Sequence, residues 1–310
     1  MLTFVSGGVA GDGWPSTQPI HLIVPYAAGG NADFVARTTA NFMAQALNAQ
    51  VIVENRSGAG GIIGTQAVTR APADGNWLCI CGIGSISVAP AMESVPYDPL
   101  KDLAPVSLIN TSPLIMIVNG KSPVSTVAEF IVWAKSKGAG LTYGSSGVGG
   151  LMHIAGEVFR NRTGINLIHV PYRGSGLATN ALMAGEVDVV FALASDVMSL
   201  IQANVFRPIG ITTAQRSPYL PDVRTIMEQN VPDYDLTSWI GLFAPTGVPK
   251  PIINRLASVM ADMAENPETQ RIDADFGATA KSNSPEQFAA QLRSEASRWK
   301  DYLSGLEVKK

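Results

Sequence analysis

Short apolar runs alternate with helical patterns along almost the whole chain, and this alternation constrains the fold more than any other feature. The apolar runs are bounded by Gly, Pro, Asn or Ser, as strands are, and they cover residues 20–24, 51–53, 77–80, 114–118, 141–143, 167–170, 187–191 and 240–244. Strands that are apolar on both faces are typical of parallel sheets covered by helices. The alternation therefore predicts an α/β fold, and a length of 310 residues favours two domains over one.

Local signals place several helices between and after these strands. Thr126 and Glu129 have capping-box spacing, and Ser284 with Gln287 predicts the start of the last helix. Another helix carries apolar residues at helical spacing between residues 252 and 263. The first helix is expected to pack through one face, which consists of Phe34, Thr38, Phe42 and Ala46.

Charged residues make up only 15% of the chain, and the formal net charge is −3. Because nucleic-acid binding requires a dense basic surface, this composition predicts no nucleic-acid partner. Hydrophobic residues account for 46% of the chain, as in an ordered globular protein. The overall field does not attract anions, so any anion site must be local and built from backbone N–H groups and one or two side chains.

The N-terminal segment, residues 1–15, is expected to lie outside the fold. It begins with MLTFVSGGVA, which is apolar but lacks the basic start and the full apolar stretch of a secretion signal. We interpret it as the remnant of a removed signal or as an artificial extension. No apolar run elsewhere approaches the roughly 20 residues that span a bilayer.

The two cysteines, Cys79 and Cys81, lie in the strand-like run WLCIC. Because side chains alternate between the two faces of a strand, we interpret them as small apolar residues and predict no disulfide between them. A metal site would need more ligands than the sequence offers.

Two segments of similar design lie about 145 residues apart. Residues 20–30 read IHLIVPYAAGG, and residues 165–176 read INLIHVPYRGSG. In both, an apolar strand ends in Val-Pro-Tyr and leads into a glycine-rich turn. This echo favours two α/β lobes that face each other, although segments this short also match by chance.

The first glycine-rich loop follows a strand and opens a helix. Such a junction presents unpaired N–H groups and the positive end of the helix dipole, and its glycines let a ligand approach the backbone closely. It is therefore a candidate cradle for a carboxylate or phosphate. The alternative is a tight turn in which Asn31 or Asp33 caps the helix. The candidate binding residues are Tyr26, Ala28, Gly29, Gly30 and Asp33.

A second loop of the same design runs over residues 143–150 and adds two serine hydroxyls, which can donate to a carboxylate oxygen. Its candidate binding residues are Ser145, Ser146, Gly147 and Gly149. His153 follows in the first turn of the next helix. It is a weaker candidate, because a single histidine at such a position is more often a packing or surface residue.

Further segments complete the candidate pocket. Arg173 is a cation in a glycine-rich strand end, where a guanidinium either holds a ligand carboxylate through two hydrogen bonds or pairs within its own lobe. Asp196 stands at a helix start, where an acid caps the helix or contacts the ligand. The remaining candidates in these segments are Tyr172, Gly174 and Ser85.

Motifs for nucleotides, metals and nucleophilic catalysis are absent from the sequence. The run Gly58–Gly64 has its last glycine one place too late for a dinucleotide fingerprint, and neither a P-loop nor a G-x-S-x-G elbow occurs. The three histidines, His21, His153 and His169, have no metal-binding spacing. The sequence therefore predicts no catalytic residue, no metal and no cofactor, and it favours a binding protein over an enzyme.

Taken together, these segments resemble the solute-binding proteins of tripartite tricarboxylate transporters, often called the Bug family. The resemblance covers nearly all of residues 14–305, and the order and spacing of its segments make it specific. The matching segments are WPSTQPIHLIVPYAAGG (14–30), VENRSGAGGIIGTQAV (53–68), APADGNWL (71–78), PYDPLKDLAPVSLI (96–109), LTYGSSGVGGLMHIAGEVF (141–159), HVPYRG (169–174), RSPYLPDVRTIME (216–228) and SWIGLFAPTGVP (238–249).

The resemblance implies a type II periplasmic-binding-protein fold, in which two α/β lobes are joined by a two-strand hinge. We expect residues 16–117 and 241–310 to form the first lobe and residues 118–240 to form the second. The resemblance also implies a periplasmic protein that performs no chemistry on its ligand. Such a protein closes its lobes around a small carboxylate and delivers it to integral membrane transporter subunits. We expect it to act as a monomer.

The same resemblance implies that the loops at 26–33 and 143–150 face each other and grip one carboxylate, with residues 172–174 and 195–196 as the neighbouring wall. The chain departs from the family pattern at Ala192 and Leu193, where many relatives carry an acidic residue and an asparagine. This departure indicates a more apolar pocket around the distal half of the ligand.

The ligand class stays open among mono-, di- and tricarboxylates, amino acids and aromatic acids, with a mono- or dicarboxylate favoured because the loops carry few cations. Two alternatives to transport remain at this point. One is a sensory or regulatory module that binds the same ligand class. The other is a hydrolase that uses Ser145 or Ser146, with His153 as the base.

Overall fold

The computed structural model describes residues 13–15 and 17–304 of the chain. Its strands are β1 Ile20–Val24, β2 Val51–Asn55, β3 Trp77–Gly82, β4 Leu103–Asn119, β5 Leu141–Ser145, β6 Leu167–Pro171, β7 Val189–Leu193, β8 Phe206–Ile211, β9 Thr237–Pro245 and β10 Thr279–Ala280. Its helices are α1 Asn31–Leu47, α2 Ile62–Thr69, α3 Ala89–Met92, α4 Val127–Ser136, α5 Leu151–Thr163, α6 Ser175–Ala184, α7 Ala194–Gln202, α8 Lys250–Glu265, α9 Pro267–Asp275 and α10 Pro285–Ser304. Most of the predicted N-terminal segment lies outside the described residues.

Two sheets of the same design build the molecule, and we call them the first and second lobes. In the first lobe the parallel strands β2, β1 and β3 are followed by antiparallel β9; in the second lobe the parallel strands β6, β5 and β7 are followed by antiparallel β4. Each parallel strand is linked to the next by a helix. The predicted α/β architecture with two lobes is therefore confirmed.

Strand β4 belongs to both lobes. It pairs with β9 from Leu103 to Pro113, and with β7 and β8 from Leu114 to Asn119. The chain passes into the second lobe along β4 and returns to the first along β9. The predicted lobe boundaries, at 117/118 and 240/241, stay a prediction, since these strands run continuously past both points.

Capping fixes the predicted helix starts. The Thr126 hydroxyl accepts the Glu129 N–H at 3.1 Å, and Ser284 and Gln287 each accept the other's backbone N–H. These reciprocal bonds satisfy donors that a helix start otherwise leaves unpaired. No helix among the described residues combines the length and the apolar character that a bilayer crossing requires.

The predicted core face of α1 is wrong. Phe34 is 37% exposed, and the face buried against the sheet instead contains Val35, Ala36, Thr39, Ala40, Met43 and Leu47. Two apolar stripes run along α1, and the smaller side chains of the buried one let the helix lie close to β1 and β3. Phe34 packs at 4.6 Å, between ring centroids, on Phe276 after α9.

The echo between residues 20–30 and 165–176 does not mark equivalent positions. It joins β1, which is central in its sheet, with β6, which is the edge strand of the other. The strand that occupies the place of β1 in the second lobe is β5. The equivalent loops are therefore those after β1 and β5, the two proposed as the ligand grip.

The prediction that Cys79 and Cys81 stay unbonded is wrong, because their sulfurs form a disulfide. Side chains two residues apart on a strand lie on the same face, and the Cα atoms of the pair are 5.4 Å apart, within the ordinary range for a bridge. Both residues are fully buried, and Cys81 lies one residue before the end of β3 at Gly82.

Candidate functional site

The carboxyl ends of the central strands meet in a cleft between the lobes, where ligands of such sheets generally bind. The cleft contains two chambers. The inner chamber, of about 350 Å³, is lined in part by Ser238, Trp239 and Ile240 of β9. The outer chamber, of about 740 Å³, is lined in part by Ala59, Gly60 and Val148. The two chambers share four lining residues, which are Tyr26, Gly84, Ser146 and Leu151. The cleft is therefore continuous from one chamber to the other.

Four helix N-termini line the inner chamber. Residues of the first turn, or directly before it, come from α1 at Asn31, from α5 at Leu151, from α6 at Ser175 and from α7 at Leu193. The first N–H groups of a helix have no partner within the helix and carry the positive end of its dipole. Such an arrangement attracts a carboxylate without a cationic side chain. Among the described residues, no lysine, arginine or histidine lines this chamber.

The first loop is held from inside by Asp33. One carboxylate oxygen of Asp33 accepts the Gly29 N–H at 2.9 Å and pairs with Arg37 at 3.0 Å, and the other accepts an N–H of Asn55. The Arg37 and Gly29 hydrogen bonds lower the pKa of the Asp33 carboxyl to about 2. Asp33 thus shapes the cradle, and Gly30 with the first turn of α1 presents the surface that a ligand meets.

The second loop is held from behind by two stacked histidines, with ring centroids 4.0 Å apart. Nδ1 of His153 accepts the Gly149 N–H at 3.0 Å, and Nε2 of His169 lies 2.6 Å from the Ser145 hydroxyl oxygen. That hydroxyl oxygen also accepts the Gly147 N–H at 3.1 Å. The N–H groups of Gly147 and Gly149 therefore bond within the protein, and Ser146 faces both chambers.

The hinge strand β9 contributes Trp239 to the wall of the inner chamber. The indole N–H of Trp239 donates to Glu295 at 2.9 Å. Glu295 lies buried on α10 and also accepts from Ser87 and Gln291. These bonds fix the indole ring against the chamber. They tie α10 to the hinge strand and to the π-helical segment Gly84–Val88 at the same time.

Comparison with known proteins agrees with this geometry. Residues 35–307 match the family described as tripartite tricarboxylate transporter family receptor. The chain belongs to this receptor family. BugT of Bordetella pertussis is 31% identical over 301 residues, which cover 95% of this chain and 91% of BugT.

Two solved structures are similar over nearly the whole chain. The R. palustris protein Rpa4515 with adipate is 31% identical, with a TM-score of 0.83, and the match covers 94% of this chain and 97% of that one. MatC of Rhodopseudomonas palustris with bound malate is 28% identical, with a TM-score of 0.81, and covers 92% and 98%. The chain is thus a solute-binding receptor of the tripartite tricarboxylate transporter family, with the two-lobe fold of that class.

The receptor places the predicted site residues in three groups. Those that line a chamber are Tyr26, Gly30, Ser146, Gly147, Gly149 and Asp196. Those buried behind the lining are Asp33, Ser85, Ser145 and His153. Those outside the lining of both chambers are Ala28, Gly29, Tyr172, Arg173 and Gly174, and Arg173 is exposed to solvent.

Several lining residues of the receptor were not predicted. The loop before α2 contributes Ala59 and Gly60 to the outer chamber, and the hinge contributes Ser238 and Trp239 to the inner one. Both segments lie within the sequence stretches that match the family. That match is the signal that could have identified them as lining residues. His169 was also missed, because its partner Ser145 lies 24 residues away and only the sheet brings them together.

Proposed function

We propose that this receptor binds the carboxylate group of a small acid in the inner chamber, between the first turns of α1 and α5. The supporting observation is the convergence of four helix N-termini on a chamber that has no cationic side chain among the described residues. The receptors solved with adipate and with malate have the same two-lobe fold. A small aliphatic acid also suits a chamber of about 350 Å³.

The protein is proposed to work in the periplasm, where it closes on its ligand and delivers it to the membrane subunits. Closure would bend β4 and β9 where they pass between the lobes, a common route for hinged binding proteins. Ligand binding shifts the equilibrium toward the closed form only by its differential affinity for that form. Contacts to both lobes, through α1 and α5, supply that difference.

The binding role is proposed to involve no chemistry on the ligand. Ser145 and His169 resemble a nucleophile and its base, since Nε2 lies 2.6 Å from the hydroxyl oxygen. However, Ser145 is fully buried, and its oxygen is bonded to the Gly147 backbone as well. A bound ester would have no path to this oxygen. Release of product from simple esters by the purified protein would contradict this part of the proposal.

A thermal-shift titration with a panel of carboxylic acids tests the binding proposal, with each acid paired with its amide. At 100 times its dissociation constant, a ligand adds about 2.7 kcal/mol to the free energy of unfolding. We expect some acids to raise the melting temperature and their amides to leave it unchanged. Equal stabilisation by acid and amide would contradict a carboxylate site at the helix N-termini.

A further inference from the structure

Asp196 is the one residue with a carboxyl group among the described residues that line the inner chamber. It lies in the first turn of α7. One carboxylate oxygen, Oδ1, is 3.3 Å from the Ser195 hydroxyl that donates to it. The other oxygen, Oδ2, is shielded from solvent and has no hydrogen-bond partner in the described part of the protein.

The first turn of α7 favours a negative charge, but it leaves Oδ2 of Asp196 without a donor. The residue that precedes α7 is Leu193, and no side chain caps the helix. No ion pair to Asp196 occurs within the described residues. Burial raises the pKa of the Asp196 carboxyl, and the neighbouring Ser175 and Ser195 hydroxyls offset only part of the rise.

Asp196 is only partly buried and lines the chamber, so a ligand there can approach its carboxylate, and a donor supplied by the ligand would offset the cost of the partial burial. The residues around Asp196 indicate which kind of donor group the ligand would carry. The chamber around it combines apolar side chains, such as Trp239 and Ile240, with the hydroxyls of Ser175 and Ser238. A second ligand carboxylate would find no cation among the described lining residues and would be repelled by Asp196. A ligand ammonium would be attracted and would hold Asp196 in its ionised form.

We propose that Asp196 determines the specificity of the receptor by binding the ammonium group of an amino-substituted carboxylic acid, while the helix N-termini bind the carboxylate of the same ligand. This inference rests on the carboxylate-binding function proposed above. It assigns opposite charges to two groups of one ligand within one chamber, so the preferred ligand is a zwitterion rather than a dicarboxylate. A charge-assisted N–H···O bond of this kind is about twice as strong as a neutral one.

Titration calorimetry with ligand pairs of equal chain length tests the inference. The pairs set α- and ω-amino acids against dicarboxylates, for example 6-aminohexanoate against adipate. We expect the wild type to bind at least one amino acid about 10- to 100-fold more tightly than its dicarboxylate partner, given the usual strength of a charged hydrogen bond. In Asp196→Asn, which keeps the shape of the side chain, that preference should vanish or reverse.

Asp262→Asn is the matched control, because it removes one negative charge from the exposed surface of α8, away from the cleft. It should leave the preference unchanged, and melting temperatures of both variants verify that they are folded. If dicarboxylates bind the wild type more tightly and Asp196→Asn does not alter this, the inference is overturned and the carboxylate site stands. If neither class binds folded wild-type protein, the proposed function itself fails.

Discussion

Asp33 lies beneath the first loop, only 5% exposed, and each of its carboxylate oxygens has a partner. Its neighbours lower its pKa to about 2 from an ordinary value of 3.8. A carboxyl whose pKa is lower in the folded protein stabilises the fold above its unfolded pKa. That contribution is lost as the pH falls from about 4 to about 2.

Asp33→Asn should therefore lower the free energy of unfolding by about 2 kcal/mol at neutral pH, in proportion to the pKa shift. The difference between wild type and variant should shrink as the pH falls below about 4, because wild-type Asp33 then becomes protonated as well. Urea unfolding at a series of pH values measures both effects. A difference that stays constant down to about pH 2 would show that the charge of Asp33 is not the cause.

Gly30 offers a direct test of the cradle. A Cβ added there would meet nothing closer than the Ala27 carbonyl at 3.7 Å, and Gly30 has an ordinary extended backbone, so the fold accepts a side chain. Because Gly30 lines the inner chamber, Gly30→Val should place its methyl groups where the ligand carboxylate binds. We expect an unchanged melting temperature and at least tenfold weaker ligand binding by calorimetry, roughly the loss of one charged hydrogen bond. Unchanged affinity would show that the ligand carboxylate does not bind at the N-terminus of α1.

For individual residues, the sequence predicted which loops line the cleft better than it predicted which side chains in those loops face the ligand. Tyr26, Gly30 and Ser146 could be predicted as lining residues because a strand–glycine–helix junction exposes its backbone. Asp33 and Ser145 were in the right loops but face inward. Their orientation depends on partners elsewhere in the chain, Asn55 and His169, which no local pattern reveals.

The structure of the second loop depends on the protonation of its two histidines, His153 and His169. Burial lowers the pKa of both His153 and His169, that of His169 to about 4 with a smaller contribution from its neighbour. Glu157 and Arg160 face the same pair and act on His153 in opposite directions. The histidines of an unfolded chain begin to bind protons below about pH 6.5. At that pH both rings are still neutral in the folded protein.

The stability that the two histidines contribute should thus fall as the pH drops from about 6.5 to about 4, because the unfolded chain binds more protons in this range. Ligand affinity should hold until the rings of the folded protein themselves bind protons. A protonated His153 could no longer accept the Gly149 N–H. In His169→Gln, whose amide reaches the same Ser145 oxygen, the stability change over this range should be smaller by about 2 kcal/mol.

Stability at each pH is measured by urea unfolding, and affinity by calorimetry. His21→Gln is a matched control, because His21 lies on β1 of the first lobe and pairs with Glu54 rather than with the loop. It should leave the pH dependence of ligand affinity unchanged. An identical profile in wild type and His169→Gln would contradict the role assigned to the histidine pair.

The sequence predicted the presence of a strand more reliably than the residues at which the strand begins and ends. Every predicted strand overlaps an observed one, yet β4 spans Leu103–Asn119 where only residues 114–118 were predicted. The first part of β4 contains Pro105, Ser107 and Asn110, which break the apolar pattern. They fit because β4 is irregular there, with register shifts between Pro105 and Ser107 and between Leu108 and Asn110. Strand β8 was missed for a similar reason, since it contains Pro208 and Gly210.

For the whole molecule, the shared strand β4 and a shared core predict unfolding in one step. One cluster of buried apolar residues extends from Ile23 and Cys79 in the first lobe to Tyr143 and Phe159 in the second. We therefore expect native-state hydrogen exchange to give the same opening free energy for peptides that cover β3 and β5.

Gly156→Ala sharpens this test, because the added methyl group would overlap the Tyr143 ring and so perturb only the second lobe directly. Overpacking of this kind costs about 1–3 kcal/mol. Protection of β3, in the first lobe, should fall by the same amount as protection of β5. If protection falls only in β5, the lobes open independently.

The return of β9 to the first sheet also sets an order of events during synthesis. All strands of the second sheet lie between residues 103 and 211, whereas the first sheet lacks its antiparallel strand until residues 237–245 are present. Helix α10 arrives later still, and its Phe288 packs against Gly241. A chain that emerges N-terminus first can therefore complete the second lobe while the first, although made earlier, waits for the end of the chain.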